Sequence, residues 1–225
     1  MIRSHLTSPS EKPRFSLAEE RAHYLSHAIG AACAIPAVTQ LVRLAARRDA
    51  ATLIGCVVYG CALLLMYAAS TAYHATPFAS SRTKRAFHVL DHCAIFLLIS
   101  GTYTPLALTV LHSARGYLLL ALVWGLSFLG LYRVLMRRNP QRGGPVVLYL
   151  ALGWAIAFTL PELMRALGDR ALLLLLTGGI FYTLGVPFYV LRGVRYHHAI
   201  WHGFVLVGSA LHFVAMLNFV VPYSD

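Results

Sequence analysis

The segment His198-Ala199-Ile200-Trp201-His202 opens the last long apolar stretch of the chain. Two histidines four residues apart stand one above the other on a helix face, so both imidazoles can reach a single metal ion. Among eleven histidines, such a pair is weak by itself, and its meaning depends on a third ligand brought from elsewhere. Ser70 and His74 have the same spacing, and His88, Asp91 and His92 stand at i, i+3 and i+4. Three imidazoles with a fourth position left open make a catalytic type of zinc arrangement, and a nearby acid can hold the bound water or orient a ligand. Without cysteines or further carboxylates in the set, neutral nitrogen ligands favour Zn²⁺ over Mg²⁺ or Ca²⁺.

The elements that must position these groups are membrane spans. Of 225 residues, 58% are apolar and only 12% charged, which is not the composition of an ordinary soluble domain. The apolar residues fall in long blocks, and each crossing needs about 20 of them. The expected spans are 23–46, 51–74, 85–111, 116–136, 145–160, 171–191 and 198–221, an all-α seven-helix bundle. A polar tail, 1–18, precedes a single domain, 19–225; the tail has no apolar stretch of the kind a cleavable signal requires. Gly101 and Pro105 predict a kink in the third span, Pro77 marks the loop after the second, and Arg137-Arg138-Asn139-Pro140 ends the fourth. Pro161-Glu162 closes the fifth.

The formal charge of +11 is that of a membrane topology signal, not a nucleic-acid surface, because Lys and Arg sit in short loops between apolar blocks. Alternating sides place thirteen basic residues with the N-terminus and six opposite. The positive-inside rule then puts the N-terminus in the cytoplasm and the C-terminus outside an inner (plasma) membrane, against the grain of Arg43, Arg47 and Arg48. Cys33, Cys56, Cys61 and Cys93 all lie inside apolar blocks and read as buried thiols.

With that span order, the end of the second span and the starts of the third and seventh share one side of the membrane. They bring Ser70, His74, His88, Asp91, His92 and His197 to His202 together, and the start of the first span adds Glu19, Glu20, His23 and His27. Each group also has a plainer reading. His88 and His92 suit a helix start at the interface, His23 and His27 suit lipid headgroups, and His197 suits solvent. His112 and His212 fall towards the other end and read as structural. Tyr117, Tyr149 and Trp201 read as interfacial anchors. The functional reading rests on His74, His198 and His202 with Asp91, the one acid placed beyond the edge of a span, where an ionisable group usually has a partner and a role.

Several segments resemble the bacterial hemolysin III-related proteins of the progestin and adipoQ receptor family, within the ceramidase-like seven-helix superfamily. They are 20–31 (ERAHYLSHAIGA), 70–74 (STAYH), 87–105 (FHVLDHCAIFLLISGTYTP), 152–154 (LGW), 178–189 (GGIFYTLGVPFY) and 198–213 (HAIWHGFVLVGSALHF). The resemblance implies a zinc on the cytoplasmic side held by His74, His198 and His202, with Asp91 acting through a bound water and Ser70 close by. His23 stands where the bacterial members commonly have asparagine, and Ser26 where they have threonine.

Two functions follow as expectations. In the first, the protein is a zinc-dependent hydrolase-like enzyme for a lipid amide of the ceramide type. Asp91 is then the proton acceptor, Ser70 a hydrogen-bonding partner of the water or developing oxyanion, and membrane lipids the partners. In the second, the zinc is structural and the protein is a non-enzymatic receptor-like, channel-like or membrane-homeostasis regulator. The family name implies cytolysis, but the chain carries no signal, soluble pore-forming segment or amphipathic β pattern of a secreted toxin.

Overall fold

A computed structural model describes residues 15–76, 79–136, 145–191 and 193–223. The tail before residue 15, Pro77, the Arg137–Pro140 stop and Asp225 lie outside them. Among the described residues there is no strand, and the elements run α1 (Leu17–Ala45), α2 (Ala50–Ala75), α3 (Ser81–Pro105), α4 (Ala114–Met136), α5 (Val146–Trp154), α6 (Leu160–Val190) and α7 (His197–Ala215). Helix α3 runs into a π-turn at Leu106–Val110, α7 into another at Met216–Val220, and α5 into a 3₁₀ stretch at Ala155–Thr159. The π-turn directly after Pro105 is the structural form of the expected kink, since a proline removes a backbone donor.

Six helical runs are long and apolar enough to cross a membrane, including 146–190 taken as one run of 45 residues. Ile29, Ile54, Leu118, Phe128, Phe158 and Leu173 face outward, as befits a multi-pass membrane protein whose solvent is lipid. Cys33 and Cys61 share that outer surface; only Cys56 and Cys93 are buried, which corrects the expectation of four buried thiols. An apolar block buries a thiol only on the face its helix turns to its neighbours.

The 146–190 run is not one straight rod. A straight helix separates residues 29 apart by about 44 Å, yet Trp154 Nε1 donates to Thr183 Oγ1 at 3.0 Å. The chain therefore folds back between them. The reversal includes Gly168, whose φ of 75° and ψ of 176° lie outside the helical region and suit a residue without Cβ. Pro161 sits in the first turn of α6, where its missing N–H has no partner to lose.

Helix α3 is the centre of the bundle, and most of its apolar length is buried. Its approach to α2 is close: a Cβ on Gly55 would stand 2.6 Å from Pro105 Cα, so backbone meets backbone as small residues permit. Helix α1 begins at Leu17, earlier than the expected 23, because Ser16 and Glu19 form a reciprocal capping box. Glu19 Oε1 also accepts the Tyr196 backbone N–H at 3.2 Å. That bond ties the first turn of α7 to the first turn of α1 and brings their histidines to one level. Asp49 caps α2; hydrogen bonds from the Thr52 backbone N–H and hydroxyl hold its carboxyl below the usual range.

Candidate metal centre

His74 from the last turn of α2 and His198 and His202 from the first turns of α7 converge. One ring nitrogen from each lies within 4.8 Å of the others. His74 is fully buried. Its Nδ1–H donates to Glu20 Oε2 at 2.6 Å, so Nε2 carries the lone pair, and that atom is buried without a hydrogen-bond partner. His202 Nδ1 lies 3.1 Å from the His23 carbonyl oxygen and 2.9 Å from Ser26 Oγ. A carbonyl only accepts, and Ser26 Oγ donates to the same carbonyl at 2.7 Å. Nδ1 of His202 must therefore carry the proton, which leaves its Nε2 lone pair available to a metal.

This donor set fits a zinc ion. Each of the two tautomers is fixed by an acceptor behind the ring, as metal-ligating histidines require, and an orphaned buried nitrogen needs an acid or a metal to satisfy it. The carboxylate behind His74 is further anchored: Lys84 Nζ stands 3.5 Å from Glu20 Oε1 and donates to the Tyr73 carbonyl at 2.6 Å.

Ser70 and Asp91 lie on the other side of the triad. The Ser70 side chain stands beside the Asp91 carboxyl. Both line a cavity of about 150 Å³ whose wall also takes in His27, His198 and His202. Away from the histidines the cavity runs between Ile95, Leu98, Leu150, Val186 and Val205, and reaches as far as His212. Among the described residues, Glu20, His23 and His74 are not on its wall. His198 and His202 thus face the cavity, while His74 is backed by Glu20 of α1.

Several histidines differ from their sequence reading. His23 and His27 are 0% and 3% exposed, not at the headgroups. His27 stacks on His202 with centroids 3.6 Å apart. His197 is buried, donating from Nδ1 to the Phe188 carbonyl at 2.7 Å. His92 is buried too: its Nδ1–H donates to the His88 carbonyl at 2.9 Å, so its Nε2 accepts from the Tyr189 hydroxyl at 3.1 Å. The Tyr149 hydroxyl donates to the His92 carbonyl at 2.9 Å. His112 is exposed and His212 bonds the Leu175 carbonyl, both away from the cluster.

Phe15 is the part of the site that the sequence did not signal. It lies in a stretch read as polar tail, yet its ring covers His23, His197 and His198 with centroids 4.7, 5.7 and 5.6 Å apart.

The family model for Haemolysin-III related proteins matches residues 15–213. The chain is similar to the "Hemolysin-3 homolog" of Bacillus subtilis, at 35% identity over 209 residues, 92% of this chain and 97% of that one. It is similar to "Hemolysin-3" of Bacillus cereus at 36% identity over 209 residues, 92% and 94% of the two chains. A more distant likeness, 27% over 168 residues and 72% and 69% of the two chains, is to the human "Monocyte to macrophage differentiation factor".

Proposed function

The chain belongs to the haemolysin-III related family, and from that premise we propose that it is a zinc-dependent hydrolase of a membrane-lipid amide, of the ceramide type. The observation that carries this reading is the opening of two of the three triad histidines, His198 and His202, onto a largely apolar cavity whose wall also bears Ser70 and Asp91. An acyl chain fits between the apolar side chains, with the polar amide at the histidine end. Zinc bound by His74, His198 and His202 would supply a Lewis acid that polarises the carbonyl and makes water nucleophilic near neutral pH.

The chain's own residues do the rest. Asp91 accepts the proton of the attacking water as the new C–O bond forms. It returns that proton to the leaving nitrogen as the C–N bond breaks, giving a fatty acid and an amine. Ser70 orients the Asp91 carboxylate and can donate to the developing oxyanion. Glu20 holds the His74 ring.

In the membrane, the bundle makes seven crossings. The return of Trp154 onto Thr183 supports counting 146–190 as two of them. The excess of basic residues supports an N-terminus and metal centre at the cytoplasmic side of the plasma membrane, with the C-terminus outside.

One observation favours a second reading. His74 comes from α2, His198 and His202 from α7, and Glu20 of α1 holds the His74 ring, so an ion at the triad would tie three helices at one end of the bundle, as a structural zinc does. The protein would then be a non-enzymatic regulator of membrane state. Lipid-amide turnover by purified protein, with and without a chelator, separates the two readings.

A further inference from the structure

Resting on the zinc reading, we infer that His23 is a fourth protein ligand of the same ion, approaching it from the side away from the cavity. His23 has no exposed surface, and neither of its ring nitrogens makes a hydrogen bond. A buried imidazole with both nitrogens unsatisfied is costly unless something absent from the chain completes it.

The surroundings say what that is. The His23 ring centroid lies 4.7 Å from His74, 5.0 Å from His198 and 5.8 Å from His202. The other three separations are 5.0 Å for His74–His198, 5.3 Å for His74–His202 and 4.7 Å for His198–His202. Four imidazoles bound tetrahedrally at the usual zinc–nitrogen distance of about 2.0–2.1 Å place their ring centres about 5 Å apart. All six centroid separations fall around that value; the ring nitrogens of His74, His198 and His202 are already within 4.8 Å of one another, and His23 has that spacing with His74, so a turn of the His23 ring completes the shell.

The carboxylate behind them points the same way. Glu20 Oε2 faces Nδ1 of His74 at 2.6 Å and Nδ1 of His23 at 3.7 Å. With Nδ1–H turned to the shared oxygen in both rings, both keep Nε2 for the metal. The same groups do not make a separate second site. His74 Nδ1 is already committed as a donor to Glu20, and Lys84 beside Glu20 opposes another dication.

Four neutral ligands leave the ion its full charge, compensated by Glu20 behind and Asp91 in front. The cavity side keeps room for a fifth ligand, the water or the carbonyl, and zinc accepts five-coordination. Removing His23 turns that fifth position into an open fourth one.

The test uses purified full-length protein in detergent, stripped and reloaded with zinc or cobalt, with His23→Gln and His23→Leu as variants. X-ray absorption at the zinc edge should count four imidazoles in the wild type and three plus a lighter oxygen ligand in both variants. Zinc affinity should fall by about tenfold or more in the variants. Their cobalt spectra should respond to added azide more strongly than that of the wild type. The metal-free variants should melt no lower than the metal-free wild type, since they lose an unsatisfied ring. Three imidazoles in the wild type, or an affinity unchanged in both variants, overturns the assignment of His23 and leaves the triad standing. Two zinc ions per wild-type chain, falling to one in the variants, also overturns it and gives Glu20, His23 and His74 an ion of their own. Wild-type protein that takes up no zinc overturns the metal reading itself.

Discussion

Glu20 Oε2 accepts a hydrogen bond from His74 Nδ1 at 2.6 Å and turns the opposite nitrogen of that ring toward His198 and His202. A charge-assisted bond this short, in a buried setting, fixes both the tautomer and the angle of the ring. Glu20→Gln keeps the volume but weakens that hold. Zinc affinity in competition with a calibrated chelator should fall by about 10–100-fold; an unchanged affinity would show that the carboxylate does not orient the ligand.

Metal content tests the triad. Purified protein should carry about one zinc per chain, the stoichiometry of a single site. His198→Ala and His202→Ala should lose most of it, whereas His112→Ala and His212→Ala, which lie away from the cluster, should keep it. Full zinc retention in a His74/His198 double variant would mean the ion is held elsewhere.

Asp91 distinguishes chemistry from scaffolding. Asp91→Asn preserves shape but cannot accept the proton. Zinc content should stay level and the melting temperature change little, while lipid-amide turnover drops by about two to four powers of ten. Equal turnover in the variant would remove Asp91 from the proton path.

The fold-back of the 146–190 run sets the parity of the bundle. If the run crosses twice, a reporter fused after Asp225 is external, and a cysteine placed at Asp169 is labelled by an impermeant reagent from outside. A reporter within 137–144 should be cytoplasmic. A cytoplasmic reporter after Asp225 with an external one within 137–144 would invert the bundle and move the site to the other face, whereas cytoplasmic reporters at both places would mean that the 146–190 run crosses once.

Much of this was legible in the sequence, for definite reasons. His198 and His202 share a helix face by spacing alone, and the order of apolar blocks was enough to bring His74, Ser70 and Asp91 to the same end. The fold-back was also marked, by Pro161-Glu162, although the non-helical backbone falls at Gly168. The setting of His23 and His27 was not legible. Histidines at a helix start look interfacial until α1, α2 and α7 close around them, and that closure depends on Glu19 binding the Tyr196 N–H and on Phe15 folding over the rings. Neither contact has a local pattern. Nor does spacing show which face of α1 or α2 meets lipid, which is why Cys33 and Cys61 were misplaced.

The most direct measurement is fatty-acid release from a panel of labelled ceramides by purified, zinc-loaded protein, repeated after chelation and again after zinc is returned. The account requires release by the loaded protein, its loss on chelation and its recovery with zinc. Fully loaded protein that releases nothing across the panel, and that melts at a lower temperature once the zinc is removed, would contradict the hydrolase and leave zinc as a clamp on α1, α2 and α7.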